Sequence, residues 1–135
     1  MIQILLVADD PAFRDRLRLA LERLEVTGEE VAFLEATDGN DALVLAAANH
    51  PDLVVVDVGA TPYGGFGLTR DLKADPDLSC PVIVILERFQ DEWLGRWCGA
   101  DALVHQPVDP FALAQVAGRL LEEDPGRATL EGAAP

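Results

Sequence analysis

Two carboxylate clusters, each at the end of an apolar run, are the residues best placed to do chemistry. Residues 53–56 form an apolar run that ends at Asp57. The run Ile2–Val7 leads into Asp9 and Asp10. Both runs are short and apolar, which favours buried strands, and in an open α/β sheet the ligand crevice lies beyond the carboxyl ends of the strands. The clusters therefore indicate a binding site, with the alternative that Asp57 only caps the turn after it.

The chemistry open to these carboxylates follows from their charge. If the first and third strands are neighbours in a doubly wound sheet, Asp9 or Asp10 shares a crevice with Asp57. Adjacent carboxylates repel unless a cation or a proton lies between them. Mg²⁺ is the simplest such cation, with the backbone carbonyl of Gly59 as a third ligand. With that metal bound, the Asp57 carboxylate has the chemistry to attack a phosphoryl group.

The elements that must position this site alternate between strand and helix. The apolar patterns predict strands over residues 2–7, 31–36, 53–56, 82–86 and 102–104. They predict helices over residues 11–24, from the Asp38-Gly39 turn to about Asn49, over residues 66–74 and 87–98, and a last helix from 110 through 121. Short connections and right-handed crossovers then give an α/β fold, a five-stranded parallel sheet with helices on both faces.

Three of these helices carry side chains whose environment bears on function. On the first helix, four basic residues are predicted to face water: Arg14, Arg16, Arg18 and Arg23. On the last helix, five apolar residues are predicted to be buried: Phe111, Leu113, Val116, Leu120 and Leu121. In the stretch 87–98, three aromatic residues recur every four positions: Phe89, Trp93 and Trp97. These rings either form a partner-binding surface or fill the groove between helix and sheet.

Charge and composition narrow the classes of partner and compartment. The 135-residue chain has 10 basic and 24 acidic residues, a net charge of −14, which argues against binding nucleic acid or anionic membranes. Cys80 and Cys98 have no metal-ligand spacing and follow no signal sequence, which predicts reduced thiols and a cytoplasmic location. His50 and His105 stand alone and are interpreted as surface or cap residues. No apolar segment is long enough to span a membrane.

The length fits one domain, predicted over residues 1–122. Residues 123–135 show no apolar period and contain a single candidate core residue, Leu130. That composition predicts a disordered C-terminal tail.

The order and spacing of many residues resemble a known family. The matching positions are 4–11 with Arg14, 35–39, 42–43, 51–57, 65–66, 72–76, 81–84, 99–101 and Pro107. Over residues 2 to about 122 the chain resembles the response-regulator receiver domains of two-component signalling. The resemblance implies a flavodoxin-like fold with strand order 2-1-3-4-5 and five helices, an Mg²⁺ site, and phosphorylation of Asp57 by a partner histidine kinase.

The chain departs from the family pattern at several active positions. Ala8 stands where the first of two acidic residues is usual, and Gln106 replaces a lysine. Leu86 and Glu87 stand where the fourth strand usually ends in Thr or Ser and a small residue. Leu103 replaces a switch Tyr or Phe. Asp57 at the phosphoacceptor position and Asp9, its metal-binding partner in the family pattern, are present. The lysine, the hydroxyl residue and the switch ring of that pattern are absent.

Two hypotheses follow from this mixture. The favoured one is a degenerate receiver, not an enzyme, that binds a signalling partner such as a histidine kinase or downstream effector without a phosphorylation switch. A homodimer through the face of the fourth and fifth helices belongs to the same hypothesis. The alternative is a working phosphoacceptor in which Mg²⁺ bridges Asp57 to Asp9. A metal-dependent phosphatase is disfavoured because no second acidic residue stands two positions after Asp57.

Overall fold

The strand and helix alternation predicted from the sequence is present in a computed structural model, which describes residues 1–24, 28–59 and 64–123. The strands are β1 (Ile2–Val7), β2 (Val31–Ala36), β3 (Leu53–Asp57), β4 (Val82–Leu86) and β5 (Ala102–His105). The helices are α1 (Pro11–Leu21), α2 (Gly39–Asn49), α3 (Gly65–Ala74), α4 (Glu92–Trp97) and α5 (Pro110–Glu123). All strand pairs are parallel in the order β2-β1-β3-β4-β5, so the predicted flavodoxin-like fold is confirmed.

The sheet separates two hydrophobic cores because alternate strand residues point to opposite faces. In β1, Leu6 packs in a core with Leu17 of α1 and Leu113 of α5. Its neighbour Leu5 packs on the other face with Leu68 of α3. Every residue of β3 and β4 is buried, as expected for central parallel strands covered on both faces.

Helix caps fix where the chain turns back from the carboxyl ends of the strands. Asp10 precedes Pro11, the first residue of α1, and its carboxylate accepts a hydrogen bond from the Ala12 backbone N–H at 3.0 Å. Asp38 caps α2 in the same way through the Asp41 N–H, at 2.9 Å. Such caps satisfy donors that have no partner inside the helix, so both helices begin directly after the strand ends.

The boundaries of two predicted helices were wrong. Helix α1 ends at Leu21 rather than at residue 24. The stretch 87–98 is not one helix: Phe89–Asp91 forms a 3₁₀ turn and α4 covers only Glu92–Trp97. The first two residues of that stretch therefore form a connection from β4 rather than a helical turn.

The predicted buried face of α5 was partly wrong. Leu113, Ala117 and Leu121 are its buried residues and repeat every four positions. Phe111 is 73% exposed, because a residue two positions before Leu113 is rotated by about 200° around a helix of 3.6 residues per turn. The predicted tail falls almost wholly on residues 124–135, which lie outside the described part of the chain, so the tail and the domain boundary stay predictions.

None of the helices in the described ranges is long and apolar enough to cross a membrane.

The start of α3 presses against the end of the central strand. A Cβ added to Gly65 would lie 2.6 Å from the Val58 Cα and 2.9 Å from the Asp57 carbonyl oxygen, whereas one added to Gly67 meets nothing within 4 Å. We expect Gly65→Ala to destabilise the fold by about 1–3 kcal/mol through overpacking. The control Gly67→Ala is expected to stabilise it by up to ~1 kcal/mol, since alanine favours a helix interior. Urea unfolding measures both, and equal midpoints would contradict the close approach.

Candidate functional site

Asp57 ends the central strand and is the buried acidic residue of the site. Its side chain is only 7% exposed, and its Oδ1 accepts a hydrogen bond from the Gly59 N–H at 3.2 Å. The preceding residue, Val56, pairs with Val7 of β1 and with Val84 of β4. Asp57 therefore lies at the carboxyl edge of the sheet with a strand end on each side of it.

The end of β1 supplies two further carboxylates. Asp9 and Asp10 are both exposed, and both lie close enough to Asp57 to raise the pKa of its carboxyl group. Asp10 is also the cap of α1, with its Oδ1 on the Ala12 N–H. The structure thus brings Asp9 and Asp57 to one edge, as the strand pattern predicted.

Glu87, the residue after β4, supplies a further carboxylate, whose direction the sequence did not predict. A Cβ built on Gly59 would lie 3.0 Å from the Glu87 Oε1 and 3.6 Å from the Asp57 Oδ2. The two carboxylates therefore approach the same space above Gly59. Glu87 turns toward the site rather than away from it, and Gly59 leaves room for it.

The carboxylates around Asp57 dominate the electrostatics of the site. Burial raises the pKa of the Asp57 carboxyl, and the charges of Glu87, Asp9 and Asp10 raise it further, against the lowering effect of the Gly59 N–H. Among the described residues, no lysine or arginine acts on Asp57 to lower its pKa.

Two cations that the chain could offer for compensation are engaged in other ion pairs. The single lysine of the chain, Lys73, forms an ion pair with Asp101 at 2.8 Å. Asp101 also accepts a hydrogen bond from the N–H of Val82, the first residue of β4, so this ion pair lies at the opposite edge of the sheet from Asp57. Arg88 pairs with Asp91 at 3.0 Å.

Three of the substituted positions lie on β4, on β5 or directly after β5. Leu86 ends β4 and is fully buried, and its carbonyl accepts the Gln106 N–H at 2.9 Å. The Gln106 residue lines a groove beside α1 and α5, and within the described ranges no hydrogen bond links its side chain to Asp57. Leu103 of β5 packs under α4, where a Cβ on Gly95 would collide with it.

Arg14 positions the loop that carries Asp9, and the sequence analysis missed this role. Its predicted exposure was wrong, because the residue is half-buried. Its Nη1 donates to the Ala8 carbonyl at 2.7 Å and its Nε to the Glu35 Oε1 at 3.2 Å. The sequence signal was the charge of Glu35 near the end of β2, the strand beside β1. Ala8 is itself fully buried in the core beneath α1.

The donor set of this edge is suited to a hard cation. Carboxylate and carbonyl oxygens are the ligands that Mg²⁺ prefers, and the raised pKa of Asp57 reflects charge that a cation would neutralise. The carboxylates of Asp9 and Asp57 and the carbonyl oxygen of Gly59 are the groups available to hold such a cation. Within the described residues, no group of three or more His, Cys, Asp or Glu side chains is arranged as a metal site.

A second surface of interest is formed by the aromatic residues around α4. Trp93 and Trp97 are 63% and 57% exposed, and Phe89 is also exposed. The alternative that these rings fill the groove between helix and sheet was therefore wrong. Leu103 and Cys98 pack in the hydrophobic core on that face of the sheet instead. We call Phe89, Trp93 and Trp97 the aromatic surface.

Neighbouring polar residues hold two of these rings in place. The Arg70 guanidinium lies 4.1 Å from the Trp97 ring centroid. Phe89 stacks on His105 with centroids 4.1 Å apart, and the His105 Nε2 is 2.7 Å from the Glu92 Oε1. His105 is thus a structural residue that ties the end of β5 to the start of α4.

The raised pKa of Asp57 predicts a specific pH dependence of stability. The pKa of this carboxyl is higher in the folded than in the unfolded chain, so the folded state binds more protons at pH values between the two pKa values. The free energy of unfolding therefore falls as the pH rises through that interval. Asp57→Asn removes this loss, so we expect it to be more stable than wild type at pH 7, with the gain disappearing below about pH 4. Thermal unfolding across pH measures this. Asp71→Asn, which removes an exposed carboxylate of α3 that does not act on the pKa of Asp57, is the control with little expected change, and a gain independent of pH would contradict the assignment.

Comparison with known proteins agrees with this geometry. A family model described as the response regulator receiver domain matches residues 4–117. The chain is 35% identical over 122 residues to an uncharacterized response regulatory protein of Mycobacterium tuberculosis, covering 89% of this chain and 91% of that relative. It is 33% identical over 124 residues to the protein PilH of Pseudomonas aeruginosa, covering 90% and 98%. The signal receiver domain of a signal transduction histidine kinase from Syntrophus aciditrophicus superposes with a TM-score of 0.76 at 33% identity, covering 90% and 91%. The chain therefore belongs to the response-regulator receiver family of two-component signalling, as its sequence resemblance implied.

Proposed function

We propose that this chain is a degenerate receiver, a signalling module that acts by binding protein partners and not by a phosphorylation switch. The observation that carries this proposal is the position of the Glu87 carboxylate. It shares the space above Gly59 with Asp57, the residue at the phosphoacceptor position. Among the described residues, no lysine or arginine lowers the pKa of Asp57.

The first supporting argument concerns phosphoryl transfer to Asp57. Catalysis of this reaction consists mainly of positioning and of stabilising negative charge. An incoming phosphoryl group would meet Glu87, a like charge, instead of a small residue. Leu86 offers no hydroxyl hydrogen bond and Gln106 no positive charge. Loss of one such stabilising group commonly costs about 10²-fold in rate.

The second argument concerns the switch. A phosphorylated receiver must transmit the event to a surface through an element with two arrangements. Leu103 occupies the switch position and is held in contact with Gly95 of α4, a buried residue with no room for a Cβ. An aliphatic side chain in that packing has no polar group to exchange one hydrogen-bonded position for another.

The third argument concerns the partner. Large exposed aromatic residues are costly to leave in water and are the residue types that dominate protein interfaces. The aromatic surface offers three, with Phe89 in the 3₁₀ turn and Trp93 and Trp97 on α4. Receiver domains interact with histidine kinases and effectors, and we assign this surface to such a partner. Dimerisation through the face of α4 and α5 stays a prediction, and the net charge of −14 disfavours nucleic acids and anionic membranes.

The alternative function is a working phosphoacceptor. Receiver domains generally bind Mg²⁺ at the phosphorylation site, and here Asp9, Asp57 and the Gly59 carbonyl would hold it. The raised pKa of Asp57 favours this alternative, because a divalent cation relieves the repulsion that Glu87, Asp9 and Asp10 impose. A bound Mg²⁺ would supply charge neutralisation, and the Asp57 carboxylate oxygen would be the nucleophile.

Phosphorylation by acetyl phosphate separates these functions. With Mg²⁺ present we expect no phosphoryl adduct on the wild-type protein by intact mass. The combined variant Leu86→Thr, Glu87→Ala, Gln106→Lys is expected to react at least about 10²-fold faster, because it restores the hydroxyl and the cation and removes the opposing charge. Adding Asp57→Ala to that variant is the control and should abolish the adduct. A stoichiometric adduct on wild-type Asp57 would establish the alternative.

An interaction screen tests the partner surface. We expect Asp57→Ala to retain its partners and the pair Trp93→Ala, Trp97→Ala to lose them, since truncating a central interface anchor costs about 2 kcal/mol or more. The matched control is Val44→Ala, which shortens an exposed apolar side chain on α2. Partners that disappear only with Asp57→Ala would contradict phosphorylation-independent binding.

A further inference from the structure

Strand β2 forms one outer edge of the sheet, and within the described part of the chain no strand pairs with its outer side. The strand order places β1 beside it on the inner side only. All six residues of β2 pair with β1 in an unbroken register, without a bulge. Neither the acidic site nor the aromatic surface uses this edge.

The backbone hydrogen bonds show which residues of β2 face outward. The Glu30 carbonyl accepts a bond from the Ile2 N–H at 2.8 Å, and the Ala36 carbonyl accepts one from the Ala8 N–H at 3.2 Å. Residues of a parallel strand direct their N–H and C=O groups alternately to the two sides, so the even-numbered residues of β2 bond to β1. The odd-numbered residues direct both groups away from the sheet: Val31, Phe33 and Glu35.

Strand β2 lacks the features that commonly keep an edge strand from pairing. Protected edges are short, bulged, or carry lysine or proline. Strand β2 is six residues long and has neither residue type, and its apolar residues 31–34 are only half-buried. The opposite edge, β5, has four residues, and the Phe89 ring stacks on the last of them, His105. Of the two edges, β2 is therefore the better template for a further strand.

The charges on β2 are balanced, in contrast to those of the whole chain. Glu35 is the one charged residue of the strand, and its carboxylate pairs with the Arg14 Nε at 3.2 Å and the Arg18 Nη1 at 3.5 Å. Helix α2, which packs on β2, also has a single charged residue, Asp41. Two copies with a net charge of −14 each can therefore meet at this edge without bringing unpaired carboxylates of the strand together.

We propose that β2 is the interface of a symmetric homodimer, in which the β2 strands of two copies pair antiparallel and join the two sheets. With the two-fold axis at Phe33, every outward residue meets an outward residue of the second copy. Phe33 meets its own equivalent, and Val31 meets Glu35. Each such pair exchanges two backbone hydrogen bonds, so all the outward groups of β2 gain a partner.

The side chains of β2 are complementary to themselves in this register. On the α1 side of the sheet, the two Phe33 rings form a cross-strand aromatic pair, a favourable combination. The Arg18 guanidinium lies 5.4 Å from the Phe33 ring centroid and would flank that pair. On the α2 side, Ala32 lies opposite Leu34 of the second copy, a small residue against a large one. Moving the axis to Leu34 would instead place Glu35 against the Phe33 ring.

This self-complementarity distinguishes a second copy from other occupants. A two-fold interface requires that one surface match itself, and β2 does so in both its backbone and its side chains. A strand of another protein could form the same backbone bonds, but nothing in β2 selects its side chains. Residues 124–135 contain two prolines and two glycines, which strands disfavour.

Dimerisation through β2 would present two aromatic surfaces at once. Strands β2 and β5 are opposite edges of the sheet, and His105 of β5 contacts the aromatic surface through Phe89. The two aromatic surfaces would therefore lie at the far ends of the joined sheet. A partner with two binding segments would gain avidity from such a pair. This bivalent use rests on the proposed function, whereas the pairing of β2 does not.

Sedimentation velocity of the full chain tests the pairing. We expect a monomer at about 10 µM and a growing dimer fraction toward about 1 mM, because an interface of this size is weak. Val31→Pro removes an outward N–H at the first residue of an edge strand, where proline is tolerated. It should weaken dimerisation about tenfold or more, since symmetry removes two hydrogen bonds per dimer. The matched control Val31→Ala shortens the same side chain, keeps the N–H and should dimerise like the wild type.

A second variant and a second measurement keep the test independent of folding. Ala32→Lys places a lysine on the edge and should also weaken the dimer. Far-UV circular dichroism and urea unfolding check that both variants fold. In amide hydrogen exchange, the Val31, Phe33 and Glu35 amides should be protected at high concentration only. The Ala32 and Leu34 amides, bonded to β1, should be protected at every concentration.

Three results would overturn the proposal. The first is a wild-type protein that stays monomeric up to about 1 mM. The second is a dimer that persists in Val31→Pro and Ala32→Lys but dissociates in Trp93→Ala, Trp97→Ala, which would assign dimerisation to α4. The third is protection of the outward amides that does not depend on concentration and disappears when residues 124–135 are deleted, which would assign the edge to the chain's own C-terminus.

Discussion

The repulsion among carboxylates at the carboxyl edge of the sheet is the constraint on which the behaviour of this domain depends. Parallel strands all end at the same edge, so acidic residues that follow β1, β3 and β4 cannot avoid one another. Asp57 is buried there with Glu87 and Asp9 nearby, and its pKa is raised. Most receivers offset such charge with a lysine after the fifth strand. Here Gln106 occupies that position and the single lysine is at the opposite edge.

The same cluster of carboxylates has opposite effects on a divalent cation and on a phosphoryl group. A concentration of carboxylate oxygens attracts a divalent cation and resists an incoming phosphate, so affinity for a metal and capacity for phosphorylation are separable here. The chain has Asp9 and Asp57 but has Gln106 and Leu86 where the family pattern has a lysine and a hydroxyl. The presence of two carboxylates suited to a metal is therefore not by itself an argument for a working phosphoacceptor.

Sequence patterns predicted the fold and the edge at which the acidic residues meet, because strand ends and connection lengths are local properties. They did not predict the direction of Glu87, since a residue just after a strand is free to turn either way and the space above Gly59 decides it. Arg14 looked like a surface residue because its partners, Ala8 and Glu35, are brought to it only by the sheet. Phe111 was misplaced because the buried stripe of α5 begins two residues later.

The leucine at position 103 and the exposed aromatic residues belong to one packing arrangement between α4 and β5. Gly95 lets the backbone of α4 approach β5 until Leu103 fills the contact, leaving no space there for a larger ring. Gly95 and its contact with Leu103 occupy the side of α4 that faces the sheet. Trp93 and Trp97 project outward from the same six-residue helix. Under the proposed function, the aromatic surface is therefore available to a partner whether or not Asp57 is phosphorylated.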